Sequence, residues 1–189
     1  AVKGAEVYKF GPRYPDEAPV LNSILPFTRN VVGPMDYTPV TFSDHTYPHK
    51  TSFAHELALS VVFESGIVHM ADKAASYLDQ PEFVRSFLGN VPAAWDETRY
   101  VTGYPGKNVV IARRKGDTWY IAGLNGTGEK TTLEVQPEFL SSETYALSLI
   151  TDGETGRTFR KKEESYQVGS PLKVILLPYG GFVGTLKAL

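Results

Sequence analysis

Short segments rich in β-branched and aromatic residues recur from about residue 92 to the end of the chain, and turn sequences separate them. Strand-length segments at this spacing, without helical periodicity, predict an antiparallel β-sandwich over residues 93–189. The predicted strands span residues 98–102, 108–115, 118–124, 130–135, 144–151, 165–168, 173–177 and 182–186. Glycine-containing turns at residues 115–117 and 179–181 predict hairpins. The mixed charges at residues 160–164 predict a solvated loop or a sheet edge.

Residues 1–92 follow a different pattern, in which loops alternate with strand-like and helical segments. Apolar residues recur at three- and four-residue spacing between residues 54 and 62, with Thr51 or Ser52 available as a cap. This spacing predicts a helix over residues 52–64. Asp79 and Pro81 predict the start of a second, shorter helix that runs through Leu88. We therefore expect an α/β domain over residues 1–92 and an all-β domain over residues 93–189, with the boundary at residues 90–92.

An apolar run closed by polar and turn-forming residues occupies residues 25–39. The apolar part predicts a buried strand, and regular pairing should stop near Gly33, because Pro34 and Pro39 cannot donate ladder hydrogen bonds. Asp36 and Tyr37 then follow the carboxyl end of this strand. In parallel α/β folds that end is where ligands and catalytic groups collect, so the sequence predicts a site there.

Charge and composition exclude several classes of function. The chain has 19 Lys and Arg residues against 21 Asp and Glu residues, a net charge of −2, which gives no electrostatic basis for binding nucleic acid or an anionic membrane. Cysteine is absent, so disulfide frameworks and thiolate zinc sites are excluded. No apolar run approaches the roughly 18 residues that a membrane-spanning helix needs.

The run at residues 25–39, Gly4-Ala5-Glu6 and the later segment 95–98 (WDET) together resemble the closing part of glycoside hydrolase family 97. The resemblance covers nearly the whole chain. It implies the terminal βα units of a catalytic (β/α)8 TIM barrel over residues 1–92, followed by the β-sandwich domain. It also implies cleavage of α-glucosides or α-galactosides, a calcium cofactor and a periplasmic location. The partners it implies are an oligosaccharide substrate and an upstream part of the same enzyme, because the chain begins inside the family's pattern.

Glu6 carries the chemical part of the resemblance. It matches the family's general acid, which also contacts calcium, while the remaining metal ligands and the second carboxylate fall outside this chain. Glycoside hydrolysis needs two carboxyl groups, so we expect this polypeptide alone to be inactive. Without the resemblance, the residue type alone favours an ordinary exposed loop residue at Glu6.

Three further residues are candidates for substrate binding because of their position after the predicted strand. Asp36 can bind sugar hydroxyls or accept backbone hydrogen bonds in the turn before Pro39. Tyr37 can stack on a sugar face. His45 lies in the following loop, where contact with the sugar is the alternative to simple hydration.

The sequence thus predicts the C-terminal portion of a calcium-dependent, exo-acting α-glycosidase with Glu6 as general acid. The alternative is a non-catalytic carbohydrate-binding or structural β-sandwich module. The sequence leaves open which α-linked sugar is cleaved and whether the mechanism is retaining or inverting.

Overall fold

The computed structural model describes residues 4–44 and 46–189, and His45 therefore lies outside the described residues. The α-helices are α1 (Arg13–Ile24), α2 (Phe53–Val62), α3 (Ala74–Leu78) and α4 (Glu82–Asn90). Short 3-10 helices span Ala5–Phe10, Leu25–Phe27 and Arg29–Val31. The strands are β1 (Glu97–Tyr104), β2 (Asn108–Lys115), β3 (Thr118–Asn125), β4 (Thr131–Val135), β5 (Thr144–Asp152), β6 (Phe159–Gln167), β7 (Leu172–Leu176) and β8 (Gly181–Ala188). None of the described helices is long and apolar enough to cross a membrane.

The strands form two antiparallel sheets. Six of them pair in the order β1-β2-β3-β8-β5-β6, and β4 pairs with β7. The prediction of an antiparallel β domain is confirmed, and all eight predicted strands are present. Strand β6 is longer than predicted, because it includes the charge run at residues 160–164 and places it on a sheet edge.

Only one of the two predicted hairpin turns closes a hairpin. Gly116, with φ of 56°, connects β2 and β3, whose register pairs Lys115 with Thr118. The turn at residues 179–181 instead carries the chain between sheets, since β7 pairs with β4 whereas β8 pairs with β3 and β5. The prediction of a hairpin at that turn was therefore wrong.

The six-stranded sheet is covered on both faces. One face packs Ile121 and Phe182 in a cluster with Leu133 and Val174 of the small sheet. The other face packs Ile111, Ala122 and Val183 in a second cluster with helices α2 and α4. Successive side chains of a strand point to opposite faces of the sheet, so each central strand contributes apolar residues to both clusters.

Helix α2 begins where the sequence predicts, because the Ser52 hydroxyl accepts a hydrogen bond from the His55 amide at 3.0 Å. Its burial is more complete than the predicted apolar stripe suggests, since every residue from Ala54 to Val62 is buried. At the other end, Arg113 of β2 donates to the carbonyls of Val61 and Val62 at 2.6 and 3.0 Å. Helix α2 is therefore a buried element that its own cap begins and that Arg113 holds against the sheet at the C-terminal end.

The strand predicted within residues 25–33 was wrong, because these residues form two 3-10 turns. Polar side chains bind the local backbone there: the Asn30 amide donates to the carbonyls of Gly33 and Glu64 at 3.1 Å. Arg29 donates to the carbonyls of Gly33 and Pro34. Side-chain hydrogen bonds of this kind compete with the backbone hydrogen bonds of a strand. Val32, in the same segment, is 86% exposed.

Candidate functional site

Residues 34–38, called here the extended segment, have no assigned helix or strand, and their burial alternates along the chain. Met35 and Tyr37 are buried, while Asp36 is exposed and Thr38 is half-buried. This period-two pattern is typical of a strand with one buried face. No strand is assigned anywhere in the described residues before Glu97, so the α/β prediction for residues 1–92 is met by helices but not by strands in this part of the structure.

Glu6 lies in the 3-10 helix Ala5–Phe10 and is exposed. Its carboxylate accepts from the Gly4 amide at 3.2 Å through Oε1 and from the Thr38 hydroxyl through Oε2. The Glu6 amide donates to the same Thr38 hydroxyl at 3.4 Å, and the Ala5 amide donates to the Thr38 carbonyl at 3.0 Å. These four contacts, called here the Glu6–Thr38 clamp, join the start of the described chain to the extended segment.

A concave surface of about 540 Å³ lies beside the extended segment. Asp36 and Thr38 line it on one side, and Ser65 and His69 line it on the other. Asp36 therefore lines an accessible surface together with Thr38, the residue whose hydroxyl contacts Glu6. The contact with Thr38 thus places Glu6 against the extended segment that contains Asp36.

Tyr37 points the opposite way, into the core. Its hydroxyl donates to Asn22 Oδ1 at 2.8 Å, and its ring meets that of Phe63 edge-on at 4.7 Å between centroids. Burial raises the pKa of the Tyr37 phenol well above its ordinary value. This placement favours a packing role, and substrate binding by Tyr37 stays a prediction.

Buried polar side chains pack beside the extended segment and form a layer, called here the buried polar layer. Asn22 Nδ2 lies 3.1 Å from His55 Nε2, and burial lowers the pKa of His55 to about 3, so this imidazole is neutral. Glu56, the next residue of helix α2, is fully buried and accepts from the Thr51 hydroxyl at 2.6 Å and the Thr41 amide at 3.2 Å. Burial raises the pKa of the Glu56 carboxyl to about 7, despite these two hydrogen bonds.

An arginine from the β domain forms hydrogen bonds with residues at the edge of the buried polar layer. Arg157 lies between β5 and β6 and donates to the carbonyls of His49 and Thr51 at 2.8 and 3.1 Å, and to the Asp44 carboxylate at 2.9 Å. Burial, reinforced by the Arg157 charge, lowers the pKa of His49 to about 4. His49 is thus a buried, neutral residue of the scaffold.

Metal-binding groups are sparse in the described part of the chain. Across residues 4–44 and 46–189, no group of three or more acidic, histidine or cysteine side chains is arranged to hold an ion. His45 lies outside these residues. Sequence reasoning missed Thr38 and Asn22, since both act through partners far away along the chain.

Residues 94–187 match the family model described as glycosyl-hydrolase 97 C-terminal, oligomerisation. Over 158 residues the chain is 42% identical to a probable retaining α-galactosidase of Streptomyces bingchenggensis, a match that covers 84% of this chain and 24% of the relative. It is 34% identical over 178 residues to a retaining α-galactosidase of Bacteroides thetaiotaomicron, covering 87% of this chain and 27% of that relative. The chain spans about a quarter of the length of these relatives.

Solved structures agree with the sequence matches. A crystal structure of a β-arabinopyranosidase superposes with a TM-score of 0.87 at 30% identity and covers 96% of this chain and 30% of that one. A family 97 enzyme from Pseudoalteromonas sp. strain K8, in complex with acarbose, superposes with a TM-score of 0.81 at 27% identity, covering 95% of this chain and 31% of the other. The fold and these matches define a part of a glycoside hydrolase. The chain belongs to glycoside hydrolase family 97.

Proposed function

We propose that the chain is the closing part of an exo-acting retaining α-galactosidase in which Glu6 is the general acid. The observation that carries the proposal is an exposed carboxylate, held by the Glu6–Thr38 clamp, in a chain 42% identical to a probable retaining α-galactosidase. Under this proposal, residues 1–92 belong to the C-terminal portion of the catalytic barrel, although none of the described residues before Glu97 is assigned to a strand. The upstream portion of the same enzyme supplies the barrel strands, and residues 93–189 form the β domain.

The proposed reaction uses Glu6 twice. As an acid, its carboxyl group gives a proton to the departing glycosidic oxygen as the bond between that oxygen and the anomeric carbon breaks. A second carboxylate, contributed by the upstream portion, attacks the anomeric carbon and forms a covalent intermediate. Glu6 then takes a proton from the water that releases the sugar, so the configuration is retained. Asp36 accepts hydrogen bonds from sugar hydroxyls at the rim of the concave surface, and His45 is a further candidate contact.

Calcium is a proposed cofactor of the complete enzyme only. Ca²⁺ takes six to eight oxygen ligands. Glu6 contributes one carboxylate, both of whose oxygens already accept hydrogen bonds, and the described residues contain no suitable cluster around it. These residues therefore do not fit a calcium ion by themselves, and the proposed proton transfers are written without it.

Residues 94–187 have a different proposed role. The matching family model is described as an oligomerisation domain, and the candidate catalytic residues all precede residue 94. We assign the β domain to assembly and to support of the barrel flank rather than to chemistry. A carbohydrate-binding role for this domain is the alternative. The relatives that guide the proposal are bacterial, and we propose a periplasmic location.

The proposal is tested by hydrolysis assays. They use a protein that carries this chain together with the upstream portion found in its relatives. We expect release of galactose from p-nitrophenyl α-galactoside, little from the α-glucoside, and loss of activity with a chelator. Glu6→Gln should reduce kcat/KM for melibiose by about 10²- to 10⁴-fold, yet largely spare kcat/KM for 2,4-dinitrophenyl α-galactoside, because kcat/KM reports the first bond cleavage and this leaving group needs no proton. Equal activity of the variant and the wild type on both substrates would show that Glu6 is not the acid.

A further inference from the structure

The Thr38 hydroxyl is placed to orient the Glu6 carboxyl group and not merely to touch it. A hydroxyl has one hydrogen to donate and two lone pairs that accept. Thr38 Oγ1 accepts the Glu6 amide at 3.4 Å, which leaves its hydrogen free for Glu6 Oε2. The backbone bond from the Ala5 amide to the Thr38 carbonyl, at 3.0 Å, fixes the distance between the two segments.

Gly4 completes this arrangement by lacking a side chain. A Cβ atom at this position would overlap both the Thr38 hydroxyl and the Glu6 carboxylate. The backbone of Gly4 has φ of −87°, which any residue adopts, so the requirement for glycine comes from the close approach and not from its conformation. The Gly4 amide also donates to Oε1 at 3.2 Å.

This geometry makes the two oxygens of the Glu6 carboxyl group different. As long as Thr38 donates its hydrogen to Oε2, that oxygen remains the acceptor when the carboxyl group is protonated. The proton of the acid is then carried by Oε1, whose remaining lone pair accepts the Gly4 amide. A carboxyl group held in this way presents its O–H in one direction, which is what transfer to a bound oxygen requires.

We propose that Thr38 is a positioning residue for proton donation by Glu6, with Gly4 providing the space for the contact. This inference rests on the proposed function, in which Glu6 is the general acid. A purely structural Thr38 would tie the 3-10 helix to the extended segment and would affect all substrates equally. A positioning Thr38 affects substrates in proportion to their need for a proton.

Leaving-group dependence separates the two roles. The experiment measures kcat/KM of the enzyme with its upstream portion on melibiose and on 2,4-dinitrophenyl α-galactoside. Thr38→Val keeps the shape of the side chain and removes the hydrogen bond, so we expect about a tenfold loss on melibiose and less than about twofold on the dinitrophenyl substrate. Thr38→Ser, which restores a hydroxyl, should recover most of the melibiose activity.

Two further variants secure the interpretation. Gly4→Ala attacks the contact sterically and should reproduce the selective loss on melibiose. Thr132→Val is the matched control, because Thr132 is an exposed residue of β4, far from the clamp in sequence, and both activities should be unchanged. Thermal unfolding of each variant shows whether it is folded, and Thr38→Ser and Gly4→Ala decide the question if Thr38→Val unfolds.

The outcomes are distinguishable from failure of the proposed function. Glu6→Gln with wild-type activity on both substrates, or a wild type inactive on both, overturns the role of Glu6 and this inference with it. Selective loss in Glu6→Gln, together with equal losses on both substrates in Thr38→Val and Gly4→Ala, overturns the positioning role alone. Selective losses in all three variants, with recovery in Thr38→Ser, support it.

Discussion

Replacing Glu56 by glutamine should stabilise the folded chain at neutral pH, although it removes a hydrogen-bonded carboxylate. Glu56 is fully buried, and its neighbours offer hydrogen bonds from Thr51 and Thr41 but no direct ion pair among the described residues. A glutamine oxygen can accept the Thr41 amide. Its NH2 group can donate to Thr51 Oγ1, whose hydrogen can turn toward His49 Nδ1, 2.8 Å away. Every polar atom of the glutamine side chain therefore finds a partner.

The magnitude follows from the pKa of Glu56, which burial raises from 4.5 to about 7. The folded state keeps its proton to a higher pH than the unfolded chain, so this residue's contribution is complete below pH 4.5 and is lost as pH rises to about 7. At 1.36 kcal/mol for each pKa unit, the loss is roughly 3 kcal/mol. His49 and His55 act in the opposite sense, because burial lowers their pKa values to about 4 and 3.

The assay is urea denaturation of wild type and Glu56→Gln at several pH values from 4.5 to 8. Both proteins contain His49 and His55, so subtracting one free energy of unfolding from the other removes most of the histidine contribution. We expect that difference to be near zero at pH 4.5 and to reach roughly 3 kcal/mol in favour of the variant at pH 8. Glu163→Gln, at an exposed residue of β6, is the control and should show a small difference that does not vary with pH. A Glu56→Gln difference that is constant across the range would refute the reasoning.

Two other predictions concern the contact between helix α2 and the β domain, and the exposed apolar residues of the first half. Arg113→Ala removes the donors that bind the last carbonyls of helix α2, and it should lower the free energy of unfolding by about 3 to 5 kcal/mol, measured by urea denaturation; a loss below about 1 kcal/mol would contradict this role. The chain alone should also self-associate, because Val31, Val32 and Ile67 are 70%, 86% and 70% exposed. Sedimentation of the wild type and of a Val31→Asn/Val32→Asn variant checks this, and association that is undiminished in the variant would show that another surface is responsible.

Strands and the main helix were predictable because their signals are local. Each strand of the β domain alternates residue types over a few positions and ends at a turn, and β2 matches its predicted bounds, 108–115. The cap of helix α2 lies next to the apolar spacing that it precedes. The predicted strand within residues 25–33 failed because apolar content was weighed above the side chains of Arg29 and Asn30, which bind the nearby backbone.

The candidate site was predictable only in part. Glu6 was predicted from the family resemblance and Asp36 from its position, and both stay predictions. The residue that connects them, Thr38, bonds to a partner 32 residues away. The contact between Arg157 and Asp44 spans 113 residues. Burial of a glutamate and a histidine inside one layer depends on such long-range contacts, which local spacing does not reveal.

Strand β8 has a consequence for the order of events during synthesis. It lies between β3 and β5, so the sheet has no centre until residues 181–188 exist. Helix α2, made more than a hundred residues earlier, also packs against β8: a Cβ atom on Gly181 would collide with the backbone of His55 and Ala54. The ribosome must therefore deliver nearly the whole chain before either half can reach its final packing. Until then, the apolar side of α2 is exposed to chaperones or to other nascent chains.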